Sequence, residues 1–241
     1  MKPRQFLFHD AERDKVRCGT EPDRRCITIK REYVHIGEHA LPGTLVITDR
    51  PTGIIVFSDI YTRDIRNVRN LFFARVLRLY GLGTLMCDLL TEQESHGPKN
   101  AQNIPLLGSR LIEFLSWIEN RKDLAGIPIG LLGASTGAAA ALSIAAREDV
   151  RVGAIVSRAG RPDLAQMELP LVRAATLLIV GGKDHDMVES NRTALNALHC
   201  KKRLDIIPNT THLFKEPGAL DVAAGLAGHW FEQHLKVSES P

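Results

Sequence analysis

The residues that could do chemistry begin with a serine held between two glycines. Residues 133–137 read GASTG; they follow an apolar run at 127–132 and precede an alanine-rich run at 138–146. This order predicts a buried strand, a sharp turn and a helix that packs closely on the sheet. The turn matches G-x-S-x-G, in which a strained backbone exposes the hydroxyl of Ser135 while Gly133 and Gly137 leave room for strand and helix to cross. An ordinary strand-to-helix turn is the alternative interpretation.

An acid and a histidine follow two later strands of the predicted sheet. Asp184 comes shortly after the apolar run 176–180, and His212 follows the run 203–207. Because ligands bind at the carboxyl ends of the strands in an open α/β sheet, we expect both side chains at one edge with Ser135. His212 would accept the serine proton as general base, and Asp184 would fix the imidazole tautomer. Asp186 is a competing candidate for the acid, with Asp184 favoured.

The elements that must position these residues alternate continuously along the chain. Turn residues and apolar periodicity predict strands and helices from residue 27 onward, with a turn at 41–43. The predicted strands are 27–36, 44–47, 54–57, 84–87, 127–132, 153–157, 176–180 and 203–207; the predicted helices are 68–80, 104–121, 138–146, 191–199 and 217–235. The alternation indicates one α/β domain over residues 25–241 with a mostly parallel sheet, preceded by a polar segment at 1–24.

Two of the predicted helices carry apolar stripes that should face the sheet. Both stripes approximate the 3.6-residue period of a helix. The stripe of helix 68–80 comprises Val68, Leu71, Phe72, Ala74, Val76 and Leu79, and that of helix 104–121 comprises Leu107, Leu111, Phe114, Leu115 and Ile118.

Composition bounds the partners and the location of the protein. The net charge of +3 is too small to argue for nucleic acid or a membrane surface as a partner. No apolar run approaches the roughly 20 residues that a membrane span needs, and the first residues lack the apolar core of a signal peptide. We therefore expect a cytoplasmic protein. The cysteines Cys18, Cys26, Cys87 and Cys200 have no metal-site spacing, and Cys87 is expected in the core.

With these residues identified, the chain resembles the α/β-hydrolases, in particular the dienelactone hydrolase-like group. The resemblance rests on the GASTGAA segment around Ser135, on SRAGRPDL at 157–164, on LIVGGKD ending at Asp184 and on THLF around His212. The order serine, aspartate, histidine is also that of α/β-hydrolases. The resemblance implies an α/β-hydrolase fold with helices on both faces of the sheet. It also implies hydrolysis of a small ester, thioester or lactone without metal or other cofactor.

One loop departs from that group and concerns the oxyanion hole. The backbone N–H of Thr136 would supply one donor, and relatives carry a His-Gly-rich loop after the strand 54–57 that supplies the second. This chain has Ser58 and Asp59 there, and no glycine as far as residue 64. The Asp59 carboxylate could oppose the charge of the oxyanion. A catalytically impaired binding or regulatory protein of the same fold is therefore the alternative to a serine hydrolase.

Three further side chains are candidates for contact with a small-molecule substrate. Tyr61 and Arg63 could act as replacement donors in the loop after residue 58, and Arg158 could meet a substrate carboxylate. Arg158 and Arg161 could equally brace their loop through ion pairs with Asp163, which is the favoured interpretation. The loops 91–103 and 158–175 are the expected pocket walls, and a homodimer is left open.

Overall fold

A computed structural model of the chain describes residues 11–16, 27–60 and 68–235. Nine strands and six α-helices are found in these ranges. The strands are β1 (Ala11–Val16), β2 (Ile27–Ile36), β3 (Leu41–Thr48), β4 (Ile54–Ser58), β5 (Gly83–Cys87), β6 (Ile129–Ser135), β7 (Ala154–Gly160), β8 (Ala175–Gly181) and β9 (Lys202–Ile207). The helices are α1 (Val68–Leu79), α2 (Glu92–Ser95), α3 (Ile104–Glu119), α4 (Thr136–Ala145), α5 (His185–Ala197) and α6 (Ala219–His234).

The strands form one sheet in the order β1-β2-β3-β5-β4-β6-β7-β8-β9. The pairs β1–β2, β2–β3 and β3–β5 are antiparallel, and the remaining five pairs are parallel. Strands β4, β5, β7 and β8 are buried along their whole length, as expected for parallel strands covered on both faces. The predicted α/β-hydrolase fold, a mostly parallel sheet flanked by helices on both faces, is confirmed.

Two apolar layers cover the sheet. Helices α3 and α4, with part of α5, pack on one face, and α1 and α6 pack on the other. The predicted stripe of α3 is confirmed, since all five of its residues are buried.

Helix α1 is present, but its predicted apolar stripe is wrong at three positions and right at Ala74, which is buried. Val68, Leu71 and Leu79 are exposed, and the residues that face the sheet are Asn70, Phe73, Ala74 and Leu77. The predicted stripe consists of apolar residues, whereas the buried face of the helix includes a polar residue. Asn70 is fully buried and hydrogen-bonded there.

Several boundaries also differ from the predictions. β1 was not predicted, because its sequence AERDKV has no apolar alternation and pairs with β2 through the backbone. Residues 41–43, predicted as a turn, belong to β3, where Leu41 is buried and Pro42 lies opposite His35. The chain reverses instead at residues 37–40, where Gly37 has φ 75°. Helix α5 begins at residue 185 rather than 191.

In the ranges given above, no helix has the length and apolar character that crossing a bilayer requires. Cys87 is buried, as predicted for a core residue.

Candidate active site

Ser135 ends β6 in a strained turn that opens directly into α4. Its backbone has φ 51° and ψ −126°, and its side chain is exposed. A non-glycine residue rarely adopts this conformation, which persists only where the surrounding structure enforces it. The local geometry is therefore that of the G-x-S-x-G turn that the sequence predicts.

The two glycines of this turn are required by close backbone contacts. A Cβ at Gly133 would lie 2.5 Å from the Cα of Ala138 in α4, and one at Gly137 would overlap the carbonyl oxygen of Ser58. No side chain larger than hydrogen fits at either position without movement of backbone. The same contacts bring the end of β4 against the first turn of α4.

Asp184 and His212 form a pair at the same edge of the sheet. His212 Nδ1 lies 2.6 Å from Asp184 Oδ2, and the His212 side chain is 43% exposed. Since Nδ1 faces the carboxylate, the tautomer with Nδ1 protonated leaves Nε2 free to accept a proton. Asp186 lies in the exposed first turn of α5 and makes no such contact within the described part of the chain.

The loop that carries His212 is fixed to the end of β8. The Lys183 N–H donates to the Thr210 carbonyl at 2.9 Å, and the Thr210 hydroxyl donates to the Pro208 carbonyl at 3.1 Å. Phe214, just beyond His212, is buried and has φ 54°. Anchors on both sides of His212 restrict where its ring can point.

Ser135 and His212 are not joined by a hydrogen bond within the described residues. The proton transfer predicted from the sequence therefore needs the two side chains to approach each other. Such hydrogen bonds commonly tighten only in the substrate complex. The roles assigned to Ser135, Asp184 and His212 stay predictions.

The oxyanion side of the site is formed by the start of α4 and the end of β4. The N–H of Thr136 belongs to the first turn of α4, where backbone donors lack intrahelical acceptors and the helix dipole favours negative charge. The buried Ser58 hydroxyl donates to the Gly137 carbonyl at 2.5 Å, so this side chain fastens β4 to α4.

Asp59 is turned toward its own loop and toward α1. Its Oδ1 accepts the Ile60 N–H at 2.8 Å, and its Oδ2 accepts from Asn70 Nδ2 at 2.9 Å. The Ile60 N–H is thus occupied by a carboxylate and not free to serve an oxyanion. The predicted oxyanion roles of Ser58 and Asp59 stay predictions, and Tyr61 and Arg63 lie outside the described residues.

Arg158 and Arg161, which follow the G-x-S-x-G turn (the elbow) in the chain, have different environments. Arg161 forms a two-pronged ion pair with Asp163, at 2.9 Å from Nε and 2.7 Å from Nη2, as favoured from the sequence. This hydrogen-bonded pair lowers the pKa of Asp163. Arg158 does not pair with Asp163: it is buried, and its Nη2 donates to Asn70 Oδ1 at 3.1 Å. Its predicted contact with substrate stays a prediction.

Asn70 is the member of this site that sequence reasoning missed. It is fully buried in α1 and links Arg158 to Asp59. A detectable signal was present, because Asn70 lies three and four residues before Phe73 and Ala74, which also face the sheet. A polar residue on an apolar helix face requires a buried partner.

A cavity lies beside the elbow, along the predicted pocket wall 158–175. It has a volume of about 350 Å³ and is lined by several of residues 161–169 and by one face of α5, including Leu169, Met187 and Ala194. Arg161 connects this cavity to the elbow, because the backbone N–H of Arg161 donates to the Ser135 carbonyl at 3.0 Å. Within the described residues, no group of three His, Cys, Asp or Glu side chains has the arrangement of a metal site.

Comparison with known proteins places the chain in a family. The crystal structure of a dienelactone hydrolase from Anabaena variabilis is 40% identical, covers 95% of this chain and 100% of its own, and superimposes with a TM-score of 0.79. An alpha-beta serine hydrolase homologue from Coxiella burnetii is 18% identical, covers 82% of this chain and 96% of its own, and has a TM-score of 0.65, which shows the fold alone.

A longer relative has a different name. A protein of Mycobacterium tuberculosis, named "Putative phosphoribosyl transferase", is 42% identical over 227 residues, which is 93% of this chain. The chain spans about half of that protein, 51% of its length. No family model matches the chain. Because the Anabaena protein is matched over its full length, the chain belongs to the dienelactone hydrolase family of α/β-hydrolase-fold proteins.

Proposed function

We propose that the protein is a serine hydrolase of a small ester, thioester or lactone that works without a metal ion. Ser135 is the nucleophile, His212 the general base and acid, and Asp184 the residue that orients His212. The observation that carries the proposal is the 2.6 Å pair of His212 with Asp184 at the sheet edge where the strained turn exposes Ser135.

Acylation begins when His212 Nε2 takes the proton of the Ser135 hydroxyl. The Ser135 oxygen attacks the carbonyl carbon of the substrate, and the electrons of the carbonyl double bond move to the carbonyl oxygen. This oxyanion accepts a hydrogen bond from the Thr136 N–H. Asp184 stabilises the imidazolium without taking its proton. When the tetrahedral intermediate collapses, the bond to the leaving group breaks and His212 protonates the leaving oxygen or sulfur. An acyl-enzyme at Ser135 remains.

Deacylation repeats these steps with water in place of the leaving group. His212 removes a proton from water, the hydroxide attacks the acyl carbon, and Ser135 leaves and regains its proton from His212. The product is a carboxylic acid. With a lactone, the leaving oxygen stays attached to the acyl group and the ring is opened.

Two other functions compete with this proposal. The Mycobacterium relative suggests phosphoribosyl transfer, but its name describes a protein of which this chain spans about half, so it assigns nothing to this half. A catalytically impaired binding protein is favoured by the occupied Ile60 N–H, which removes one candidate oxyanion donor. We favour the hydrolase because the Asp184–His212 pair is formed and Ser135 is exposed beside the first turn of α4.

A fluorophosphonate probe tests the proposal directly. Wild-type protein is expected to be labelled, while Ser135→Ala and His212→Ala are expected to lose labelling and to retain the wild-type melting temperature. Ser190→Ala is the matched control, since Ser190 lines the neighbouring cavity and its hydroxyl donates to Asp163 Oδ1 at 3.4 Å. A folded wild-type protein that takes up no probe would contradict the proposal.

A further inference from the structure

A buried arginine lies behind the loop that approaches the oxyanion side of the site. The Cα of Arg158 in β7 is paired with that of Ala134, the residue before Ser135. Arg158 is 4% exposed, and its guanidinium lies 4.9 Å from the centre of the Phe73 ring. Burying such a charge is unfavourable unless it is compensated by an opposite charge and hydrogen bonds.

The compensation comes from Asp59 through the amide of Asn70. Arg158 Nη2 donates to Asn70 Oδ1 at 3.1 Å, and Asn70 Nδ2 donates to Asp59 Oδ2 at 2.9 Å. The Arg158 and Asp59 charges themselves are 4.0 Å apart. Burial lowers the pKa of Arg158 to about 10, against the opposing effect of Asp59. The guanidinium therefore stays charged at neutral pH.

Asp59 lies where an unrestrained carboxylate would affect catalysis. Its neighbour Ser58 pairs with Gly133, and a Cβ on Gly137 would lie 3.2 Å from the Asp59 Cα. The backbone of Asp59 thus runs along the first turn of α4, where the Thr136 N–H would meet an oxyanion. A carboxylate rotated toward that point would repel the developing negative charge.

We propose that Arg158 is a positioning residue for the oxyanion side of the site. Through Asn70 it keeps the Asp59 carboxylate directed away from Ser135 and compensates its charge, so that the carboxylate does not oppose the negative charge that the Thr136 N–H would stabilise. This inference rests on the proposed hydrolase function. The proposed role belongs to Arg158 and not to Arg161, because the charge of Arg161 is paired with Asp163 at the surface.

A double-mutant cycle tests this role. The variants are Arg158→Met, Asp59→Asn and the combination, because asparagine keeps an oxygen acceptor for the Ile60 N–H but lacks the charge. Labelling by the fluorophosphonate and kcat for p-nitrophenyl acetate are measured for each. Arg158→Met is expected to slow both by roughly 10- to 100-fold, less than the loss of a whole oxyanion donor, with a smaller change in KM. In the Asp59→Asn background, Arg158→Met is expected to lower the labelling rate and kcat by less than about 5-fold.

Arg161→Met is the matched control, since it removes the same type of side chain three residues further along. Its effect is expected to be the same in the wild-type and the Asp59→Asn backgrounds. If Arg158→Met does not fold, as judged by thermal melting, Arg158→Lys replaces it. Lysine keeps the charge without the planar fork, so its loss is expected to be smaller and still relieved by Asp59→Asn.

Each outcome has a distinct meaning. If wild-type protein is labelled and Arg158→Met slows labelling equally in both backgrounds, the inference is overturned and Arg158 is a core anchor only. If Arg158→Met is as fast as wild type, the inference is also overturned while the hydrolase stands. A wild-type protein without labelling overturns the hydrolase and the inference together.

Discussion

The two sides of the candidate site are held in place by different means. On the nucleophile side, Ser135 is fixed by backbone strain and by Gly133 and Gly137, which allow β6 and β4 to approach α4 closely. On the oxyanion side, Asp59, the residue that follows β4, is held by side chains, since it is hydrogen-bonded to Asn70 and Asn70 to Arg158. The first side depends on close backbone contacts around one turn, and the second depends on charges and hydrogen bonds between side chains of three separate elements.

This difference determines what a substitution can do on each side. A backbone-defined turn fails when an atom is added, because the crossing strand and helix cannot separate without unfolding their packing. A charge network fails when a side chain is removed, because the buried Arg158 guanidinium or its partner Asp59 then loses part of its compensation. The predictions below test these two modes of failure.

The largest effect is expected for the acid of the nucleophile side. Asp184→Asn should lower kcat by roughly 10⁴-fold, since the amide cannot stabilise the imidazolium and favours the wrong tautomer. Asp186→Asn should change kcat by less than about 2-fold, because Asp186 lies in the exposed first turn of α5. Steady-state kinetics with p-nitrophenyl acetate compares them. Equal losses in the two variants would mean that Asp184 does not have this role.

An intermediate effect is expected where the two sides touch. Gly137→Ala places a methyl group against the Ser58 carbonyl, and overpacking of this kind should lower the free energy of unfolding by roughly 1–3 kcal/mol. Gly225→Ala in α6 is the control, because a Cβ there meets nothing within 4 Å and should raise stability by up to about 1 kcal/mol. Urea denaturation measures both. A stabilised Gly137→Ala would show that the contact between β4 and α4 is not tight.

The smallest effect is expected for the exposed pair that contrasts with buried Arg158. The hydrogen bonds from Arg161 lower the pKa of Asp163 in the folded state, so the carboxylate stabilises the fold above its unfolded pKa, ordinarily 3.8. That stability is lost as the pH falls through the lower, folded-state pKa. Because both side chains are 38% exposed, Asp163→Asn should lower the free energy of unfolding by less than about 1 kcal/mol at pH 7.

A pH series of urea denaturation curves checks this value. The difference between Asp163→Asn and wild type should shrink toward zero in strong acid and should also shrink with added salt. A difference that persists unchanged at acid pH would mean that the Asp163 charge does not contribute to stability.

The sequence was sufficient for the features that local patterns encode. The fold class, the succession of strand, turn and helix at the elbow and the stripe of α3 follow from apolar runs, turns and periodicity that lie within short segments. The pairing of Asp184 with His212 was anticipated because parallel strands place their following residues at one edge.

The remaining features depend on contacts between distant segments. Asn70 and Arg158 are 88 positions apart in sequence, and neither residue alone indicates the other. The predicted stripe of α1 differs from the buried face because the polar residue Asn70 faces the sheet. β1 was missed because a strand held by backbone pairing needs no apolar alternation. In each case the deciding partner lies outside the segment that carries the local pattern.

Backbone strain at the carboxyl edge of the sheet has a consequence for how the protein can change. Ser135, Ala159 and Phe214 all have positive φ, with values of 51°, 44° and 54°, and each such residue costs of order 1–3 kcal/mol. Substitutions that relax these turns would raise stability while moving the groups they hold. Selection for a more heat-resistant chain and selection for a faster one therefore oppose each other at this edge. Elsewhere in the fold, a substitution can raise stability without slowing the reaction.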